Sequence, residues 1–433
     1  MRITMKSRHT QYKIRTTILA LFVIATMALT IAPVAHSEPI TLLHEFAGGA
    51  DDGKNSRDSL IVDSGTLYGM TQYGGSSNLG TLFSMNSDGT GFTVLHSFTP
   101  GPANGGCMPY GNLTLGASTL YGMTLACGSG YGTIFSMSTD GTGFTPLHNF
   151  TNIASDGSSP RGSLTLDAGT LYGMTYSGGA SNPGTVFSIG TDGTGFTLLH
   201  DFTGGANDGG WPEGSLVLDS GTLYGMTYTG GASNYGTVFS MGTDGTGFTL
   251  LHDFAGGAGD GCLPIGSLTL GSGTLYGMSY QGGNFGSGTA FSMNTDGTGF
   301  TVLHDFAGSG NGDGSRPRGD LTLDSGTLYG MTPEGGNSNN YGTLFSMSTD
   351  GTGYTLLHDF TGGVSDARYS KGRLTLDSGT LYGMTYQGGD SGYGTVFSLG
   401  TGGSTVPEFP AGAIPFLGTV FGLVIGFVRR KKT

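Results

Sequence analysis

Positive charge is scarce in this chain between its two ends. Residues 38–410 contain only 8 Lys and Arg but all 30 Asp and Glu, so this segment has a formal charge of about −22. A field of that sign repels nucleic acids and anionic membrane surfaces, and we exclude both as partners of the folded part. It favours solubility, bound cations or a cationic partner.

Familiar catalytic signals are missing as well. The sequence has no phosphate-binding loop, no Ser-His-Asp spacing and no cluster of metal ligands. Acidic residues outside the repeated positions are Glu213, Asp320, Glu334 and Asp390. Asp320 and Glu334 fall in the same repeat, where they could form the carboxylate pair of a glycosidase. We expect no enzyme activity, and a polysaccharide-cleaving hydrolase or lyase is the alternative.

What the chain does have is one unit repeated seven times. The motif LYGM recurs at intervals of 51 to 53 residues, beginning at Leu67, Leu120, Leu171, Leu223, Leu275, Leu328 and Leu381. A second motif, LLHDF or a variant, contains His44, His96, His148, His200, His252, His304 and His358. The first histidine motif precedes the first LYGM and none follows the last, which is the arrangement expected of a closed circular array.

Each unit reads as four short antiparallel strands. In the third unit these are residues 163–167, 170–176, 184–189 and 196–202, separated by turn sequences rich in Asp and Gly. No segment has the apolar period of a helix. Four strands per 52 residues are typical of one β-propeller blade. We therefore predict an all-β, seven-bladed propeller over residues 38–402, closed by the N-terminal strand. An open solenoid, the alternative, would need distinct capping repeats.

The repeats resemble the GloVer tandem repeats of secreted bacterial proteins. The resemblance covers residues 40–400 and rests on the blocks LYGMT, GTVFS, TDGTGF and LLHDF. It implies a secreted protein with a surface-anchoring tail. The biochemical role of that family is not established, so the resemblance implies no ligand.

Both ends of the chain read as processing signals. Residues 1–15 are basic, residues 18–35 are apolar, and Ala35-His36-Ser37 has the small residues of a cleavage site before Glu38. We interpret residues 1–37 as a signal peptide, with an uncleaved membrane anchor as the alternative. Either interpretation places the repeats outside the cell.

The C-terminal tail has three parts in order. A linker at 403–410 contains Pro407-Glu408-Phe409, an apolar run follows at 411–428, and a basic cluster containing Arg429 and Arg430 ends the chain. The tail resembles the PEP-CTERM and PEF-CTERM sorting signals. That resemblance implies a membrane-bound sorting protease, an exosortase or archaeosortase, as a partner. An ordinary transmembrane helix at 411–433 is the alternative.

Two sets of repeated polar residues could serve structure or metal binding. The seven histidines lie on separate outer strands and cannot converge on one ion, so we expect them to pack between blades. Six aspartates lie 15 residues before LYGM, at Asp52, Asp156, Asp208, Asp260, Asp313 and Asp366. Their structural interpretation is an Asx turn. The functional interpretation is calcium, the one candidate cofactor.

Three cysteines allow at most one disulfide. Cys107 and Cys262 occupy equivalent positions in the second and fifth blades, too far apart around a ring to bridge. Cys107–Cys127, within the second blade, is the one bridge we consider. Cys262 is then a free thiol or a small buried residue.

All eight cations of residues 38–410 fall in the loops between blades, which predicts one face with long, variable, mixed-charge loops. Variable loops on a rigid scaffold are where binding usually resides. We expect this face to bind a glycan or a surface protein in adhesion or recognition; a purely structural envelope component is a further alternative. The candidate binding residues are Tyr110, Trp211, Glu213, Arg316, Arg318, Arg368 and Tyr369.

Overall fold

Seven antiparallel sheets, six of four strands and one of five, are arranged in a ring as the blades of a β-propeller. The computed structural model describes residues 40–401 except 102–104, 128, 311 and 337–338. We name the strands of each blade A to D from the central channel outward. Strand A of blades 1 to 7 spans Ile61–Asp63, Thr114–Gly116, Thr165–Asp167, Val217–Asp219, Thr269–Gly271, Thr322–Asp324 and Thr375–Asp377.

The two middle strands of each blade are the longest. Strand B spans Thr66–Thr71, Thr119–Ala126, Thr170–Thr175, Thr222–Thr227, Thr274–Ser279, Thr327–Thr332 and Thr380–Met384. Strand C spans Thr81–Asn86, Thr133–Ser138, Thr185–Gly190, Thr237–Gly242, Thr289–Asn294, Thr343–Ser348 and Thr395–Gly400.

Strand D is the outermost strand of each blade. In blade 7 this strand comes from the N-terminal end of the repeat region rather than from the seventh repeat. In blades 1 to 7 it spans Thr93–Ser97, Thr145–Asn149, Thr197–Asp201, Thr249–Asp253, Thr301–Asp305, Thr355–Asp359 and Thr41–Glu45. Thr41 lies opposite Ser398 and Glu45 opposite Thr395. The prediction that the N-terminal strand closes the ring is therefore confirmed.

The LYGM motif forms the packing between blades because successive side chains of strand B point to opposite faces. In blade 3, Leu171 packs toward blade 2, whereas Tyr172 and Met174 pack toward blade 4. The glycine makes room for a ring, since a Cβ on Gly173 would lie 2.5 Å from Cζ of Phe187 on strand C. Each blade thus contributes to two apolar layers, one shared with each neighbouring blade, and its faces are buried only by those neighbours.

The two ends of the propeller differ as the sequence predicts. One end has only the short A–B and C–D turns, in which Asp192 Oδ1, for example, accepts a 2.9 Å hydrogen bond from the Thr194 N–H. At the other end, the loop between blades pairs with the B–C loop through short ladders. These join Gly53–Lys54 to Tyr73–Gly74, Gly157–Ser158 to Ser177–Gly178, Gly209–Gly210 to Thr229–Gly230, Gly261–Cys262 to Gln281–Gly282, Gly314–Ser315 to Glu334–Gly335, and Ala367–Arg368 to Gln387–Gly388. We call this end the long-loop face.

Blade 2 departs from the repeat on the long-loop face. Its loop forms the strand Cys107–Pro109, which pairs with an extended strand B. Cys107 and Cys127 are joined by a disulfide, the one bridge that the sequence allowed. Cys262 is a free and buried cysteine.

Candidate binding site at the mouth of the channel

All seven blades meet at the mouth of the central channel on the long-loop face. Each contributes three residues that end two positions before the start of its strand A, and together they line a small depression that opens to solvent. The mouth consists of residues 57–59, 110–112, 161–163, 213–215, 265–267, 318–320 and 371–373.

The middle residue of these triplets brings neighbouring blades into backbone contact. It is glycine in six blades, and a Cβ on Gly162 would lie 2.1 Å from the carbonyl oxygen of Gly214 in the next blade. Blade 1 instead has Asp58, whose side chain faces Gly111 of blade 2. Gly111 has a φ of +85°, in the left-handed region that glycine tolerates best. The glycines at the same position of the other five triplets have φ values outside that region.

The third residue of each triplet links the blades through hydrogen bonds. The Ser163 N–H, for example, donates to Oγ of Ser215 at 2.8 Å. Six such bonds of 2.5 to 2.8 Å follow one another around the channel. They join Ser59 to Asn112, Asn112 to Ser163, Ser163 to Ser215, Ser215 to Ser267, Ser267 to Asp320, and Arg373 to Ser59. These bonds link six of the seven junctions between blades at the mouth.

Positive charge is concentrated at the mouth. Five of the eight cations of residues 38–410 line it, at Arg57, Arg161, Arg318, Lys371 and Arg373. Arg161 is paired, since its Nη1 donates to Oε1 of Glu213 at 2.6 Å in a partly buried salt bridge. Arg318, Lys371 and Arg57 lie on the consecutive blades 6, 7 and 1, and we call them the cationic sector. Within the described part of the chain, none of the three forms a salt bridge with a carboxylate.

Tyrosine rings hold the cationic sector in place instead of carboxylates. The guanidinium of Arg57 lies 5.0 Å from the ring centre of Tyr386, and Nζ of Lys371 lies 3.9 Å from the same ring. Arg318 lies 4.7 Å from Tyr280. Cation–π contacts of this kind position a cation without neutralising it. Burial, together with the charges of Arg57 and Arg318, lowers the pKa of Lys371 to about 7.

Asp58 is a buried carboxyl group in the same mouth. The residue is 6% exposed, and its Oδ1 accepts a 3.0 Å hydrogen bond from the Gly111 N–H. Its Oδ2 is buried and has no hydrogen-bond partner among the described residues. Burial raises the pKa of Asp58 to about 8 although the Gly111 bond and Arg57 act in the opposite direction. Asp58 therefore carries a proton at neutral pH.

The predicted binding residues divide into two groups. Tyr110, Glu213 and Arg318 line the mouth itself. Trp211, Arg316 and Tyr369 each lie two residues before a mouth triplet, at one repeated backbone position with φ between 53° and 58°. We call this position the left-handed ring, and it holds Asn55, Met108, Ser159, Trp211, Leu263, Arg316 and Tyr369.

The left-handed ring is pinned by bonds to the preceding blade. The Trp211 N–H donates to the Pro183 carbonyl at 2.5 Å, and the Tyr369 N–H to the Tyr341 carbonyl at 2.9 Å. Non-glycine residues in this conformation store strain and cluster at functional sites. Arg368, the remaining predicted residue, lies beside the ring and outside the mouth, with its guanidinium 5.3 Å from the centre of the Tyr341 ring.

Sequence reasoning identified the face but missed Arg57, Asp58 and Lys371 as site residues. The signal that could have found Asp58 is positional, because glycine fills the equivalent place in the other six repeats. Arg57 and Lys371 are distant along the chain, and only ring closure makes them neighbours.

The six repeated aspartates bind histidines of the preceding strand D. Asp208 Oδ1 lies 3.0 Å from His200 Nε2 and also accepts from the Gly209 N–H, while Oδ2 accepts from the Thr203 N–H. The other five pairs are Asp52 with His44, Asp156 with His148, Asp260 with His252, Asp313 with His304, and Asp366 with His358. The described residues contain no group of three or more His, Cys, Asp or Glu able to hold a metal ion. Calcium at these aspartates stays a prediction.

The histidines pack between blades, as the sequence suggested. The ring of His200 stacks on that of Phe248 in the next blade, with centres 4.0 Å apart and planes within 3°. Blade 2 lacks the aspartate and has Gly105 instead. A Cβ there would lie 2.2 Å from Cζ of Phe144.

The remaining acidic candidates do not form a pair. Asp320 lines the mouth and accepts from the Ser267 N–H at 2.5 Å. Glu334 accepts from Arg316 Nη1 at 3.1 Å, and the Asp390 N–H donates to a carboxylate of strand D in blade 7. The structure thus gives each of these acids a different partner and a different place.

Both chain ends fall outside the described residues. These include the proposed signal peptide at 1–37, the motif Pro407–Phe409, the apolar run at 411–428, and Arg429 and Arg430. Over residues 40–401, with the gaps given above, no helix is long and apolar enough to cross a membrane.

A protein-family model, described as the Gloeobacter/Verrucomicrobia repeat, matches residues 30–230, 126–340 and 192–397. No curated protein matches the chain. Among solved structures, an oligogalacturonate lyase in complex with manganese is 11% identical, covers 85% of this chain and 94% of its own, and has a TM-score of 0.55. An oligogalacturonate lyase from Vibrio parahaemolyticus is 10% identical over the same shares, also with 0.55. A chain of a nidogen/laminin complex is 17% identical, with 68% and 92% covered and a TM-score of 0.42. At such identities the likeness extends to the fold alone.

Proposed function

This chain belongs to the Gloeobacter/Verrucomicrobia repeat family, and we propose that it is a non-catalytic recognition protein of the cell envelope. Its ligand is a glycan, bound at the channel mouth and contacted by the left-handed ring. The signal peptide exports the chain, and the C-terminal tail attaches it to the cell surface after action of a membrane-bound sorting protease.

The convergence of cations on the mouth is the observation that carries this proposal. The segment 38–410 has few positive charges, yet five of its eight stand at the one place where all seven blades meet. Like charges held close together cost free energy unless a partner offsets them. In a purely structural protein without a ligand, nothing would offset the free-energy cost of clustering these cations.

The left-handed ring supports selective recognition. Its seven positions share one backbone conformation but carry seven different side chains, from serine to tryptophan. The propeller therefore presents a varied set of contacts on a fixed frame, as ligand-binding loops do. Trp211 and Tyr369 offer aromatic faces suited to sugar rings.

A binding screen tests the proposal. Purified full-length protein is titrated with neutral and acidic polysaccharides, including envelope polysaccharides, with calcium and with a chelator. We expect specific binding to at least one glycan and a clear loss in Trp211→Ala. The matched control is Tyr235→Ala, which removes an exposed aromatic from a B–C loop. Folded protein that binds no glycan in either condition would move the role to a protein partner or to structure.

A polysaccharide-cleaving enzyme is the second candidate, and a different observation favours it. Lys371, with a pKa of about 7, is a proton acceptor at neutral pH, and Asp58, with a pKa of about 8, is a proton donor. Acid–base cleavage needs one group of each kind, and perturbed groups in one cleft are typical of active sites. Release of new chain ends from any bound polysaccharide, abolished in Lys371→Met, would support the enzyme over the binding protein.

A further inference from the structure

We propose that the cationic sector, together with Asp58, binds the anionic group of an acidic sugar at the end of a glycan chain. The inference rests on the proposed glycan recognition and adds the ligand class and its place. Arg57, Arg318 and Lys371 contact the anionic group, and the rest of the sugar faces the mouth and the left-handed ring.

The geometry of the sector is that of an anion site. Its members come from the consecutive blades 6, 7 and 1, and they line one side of the mouth. The opposite side carries the Arg161–Glu213 pair, which neutralises itself. Arginine guanidinium groups are the donors best suited to carboxylates and phosphates. The side of the sector also carries Arg373 and Asp320, so four cations lie there with the carboxyl groups of Asp58 and Asp320, and a single anionic group would lie among them.

Hydrogen bonds within the protein also hold the side chains of the sector in position before any ligand binds. Arg57 Nε donates to Oε1 of Gln72 at 2.7 Å, and its Nη1 lies 3.4 Å from the Tyr110 hydroxyl. Arg318 Nη2 lies 3.2 Å from the Tyr280 hydroxyl. These neutral partners fix both guanidinium groups but leave their charge uncompensated. A site fixed before binding loses less side-chain entropy when the ligand arrives.

Asp58 provides a second, independent observation. Asp58 lines the mouth, and its buried Oδ2 has no hydrogen-bond partner among the described residues. A buried polar atom without a partner costs free energy, and a ligand atom that bonds to it recovers that cost. The carboxyl group is protonated at neutral pH and donates an O–H to the bound anion or to a sugar hydroxyl, rather than repelling it.

The charge of the whole segment decides between a chain end and a long polyanion. A formal charge of about −22 on residues 38–410 repels polymers that carry an acid on every sugar. Five of the eight cations that oppose this field lie in the mouth. A glycan with one acidic sugar inside the mouth and a neutral chain outside would be attracted by the cations there and would not be repelled by the acidic surface. Its acid is a carboxylate or a phosphate, which the experiment distinguishes.

The experiment is calorimetric titration of the full-length protein at pH 6.5 with five probes. These are galacturonate, glucuronate, glucose 6-phosphate, galactose and polygalacturonate. We expect at least one acidic monosaccharide to bind, and galactose to bind at least tenfold more weakly. Whether uronates or the phosphate bind best identifies the source of the anionic group. Tighter binding of polygalacturonate per sugar than of galacturonate would overturn the assignment to a chain end.

Matched variants locate the site. Lys371→Gln and Arg318→Gln should each weaken binding roughly tenfold to a hundredfold, because each removes a charged hydrogen bond. Their control is Lys54→Gln. This control cation also lies over a tyrosine of the long-loop face, 5.2 Å from the ring centre of Tyr393, but outside the mouth. Thermal unfolding verifies that each variant folds, and either sector variant suffices if the other does not.

The outcomes separate this inference from the proposed function. Binding of a neutral glycan that is lost in Trp211→Ala but unchanged in Lys371→Gln and Arg318→Gln would leave glycan recognition standing and overturn the anion site. Acidic-sugar binding that falls as much in Lys54→Gln as in the sector variants would reflect general charge and would also overturn it. Absence of binding by all five probes refutes the anion site, whatever the polysaccharide screen shows.

Discussion

Replacing Asp58 by asparagine should change how the stability of the propeller depends on pH. The carboxyl is buried and its pKa is raised from 3.8 to about 8. Between these values the folded protein holds a proton that the unfolded chain releases, so stability falls as pH rises. One proton corresponds to about 1.4 kcal/mol per pH unit, so the loss from pH 4 to pH 8 is on the order of 5 kcal/mol.

The variant Asp58→Asn removes this titration and keeps the shape. Asparagine retains the oxygen that accepts from Gly111 and adds an amide where Oδ2 stands unpartnered. We expect its free energy of unfolding to match that of the wild type near pH 4 and to exceed it by several kcal/mol near pH 8.5. The lowered pKa of Lys371 makes stability rise with pH above about 7, which is the opposite effect, so only the difference between the two proteins isolates Asp58.

Urea denaturation at half-unit steps from pH 4 to pH 9 measures the effect. The slope m should be the same in both proteins, so that the shift in midpoint reports stability. Asp51→Asn, an exposed loop aspartate, serves as the control and should give a curve parallel to the wild type. Parallel curves for Asp58→Asn as well would refute the argument that this carboxyl folds in its neutral form.

Three further predictions concern groups described above. Because the pKa of Lys371 is about 7, the affinity for an acidic sugar should fall as pH rises from 6 to 9, measured by calorimetry; a flat profile would exclude a contact with its ammonium. Burial favours the neutral form of Asp366, but hydrogen bonds from His358 and neighbouring donors outweigh it and lower the pKa to about 2. Asp366→Asn should therefore cost about 2 kcal/mol at pH 7, a difference that disappears as pH falls from 4 to 2. Reducing Cys107–Cys127, which closes a loop of 20 residues, should lower stability by roughly 3 kcal/mol, whereas an unchanged Tm would show that blade 2 holds its loop without the bridge.

Most of the fold could be predicted because the repeat encodes it redundantly. The LYGM period gave the number of blades, and the unpaired His44 strand gave the closure, which pairs Thr41 with Ser398. Because successive side chains of a strand point to opposite faces, the sequence of each strand also determined which residues face each neighbouring blade. Seven copies of the same pattern leave little room for a different architecture.

The candidate site could be predicted only in part, for a physical reason. Its residues occupy non-repeated positions, and their neighbours are set by ring closure rather than by sequence distance. Tyr110, Glu213 and Arg318 were recognisable as departures from the repeat. The importance of Lys371 and Asp58 depends on burial and on what surrounds them, which a one-dimensional pattern does not contain.

The closure of the ring has a consequence for the order of folding. The first strand of the propeller, Thr41–Glu45, has its partner at Thr395–Gly400, about 350 residues later. Blades 1 to 6 contain only local pairings and can assemble as they emerge, because contacts of short sequence separation form early. The first strand keeps an unpaired edge until almost the whole propeller has been synthesised. In this propeller the strand that is made first is the last to pair, and the strand that closes the ring, Thr395–Gly400, is the last one made.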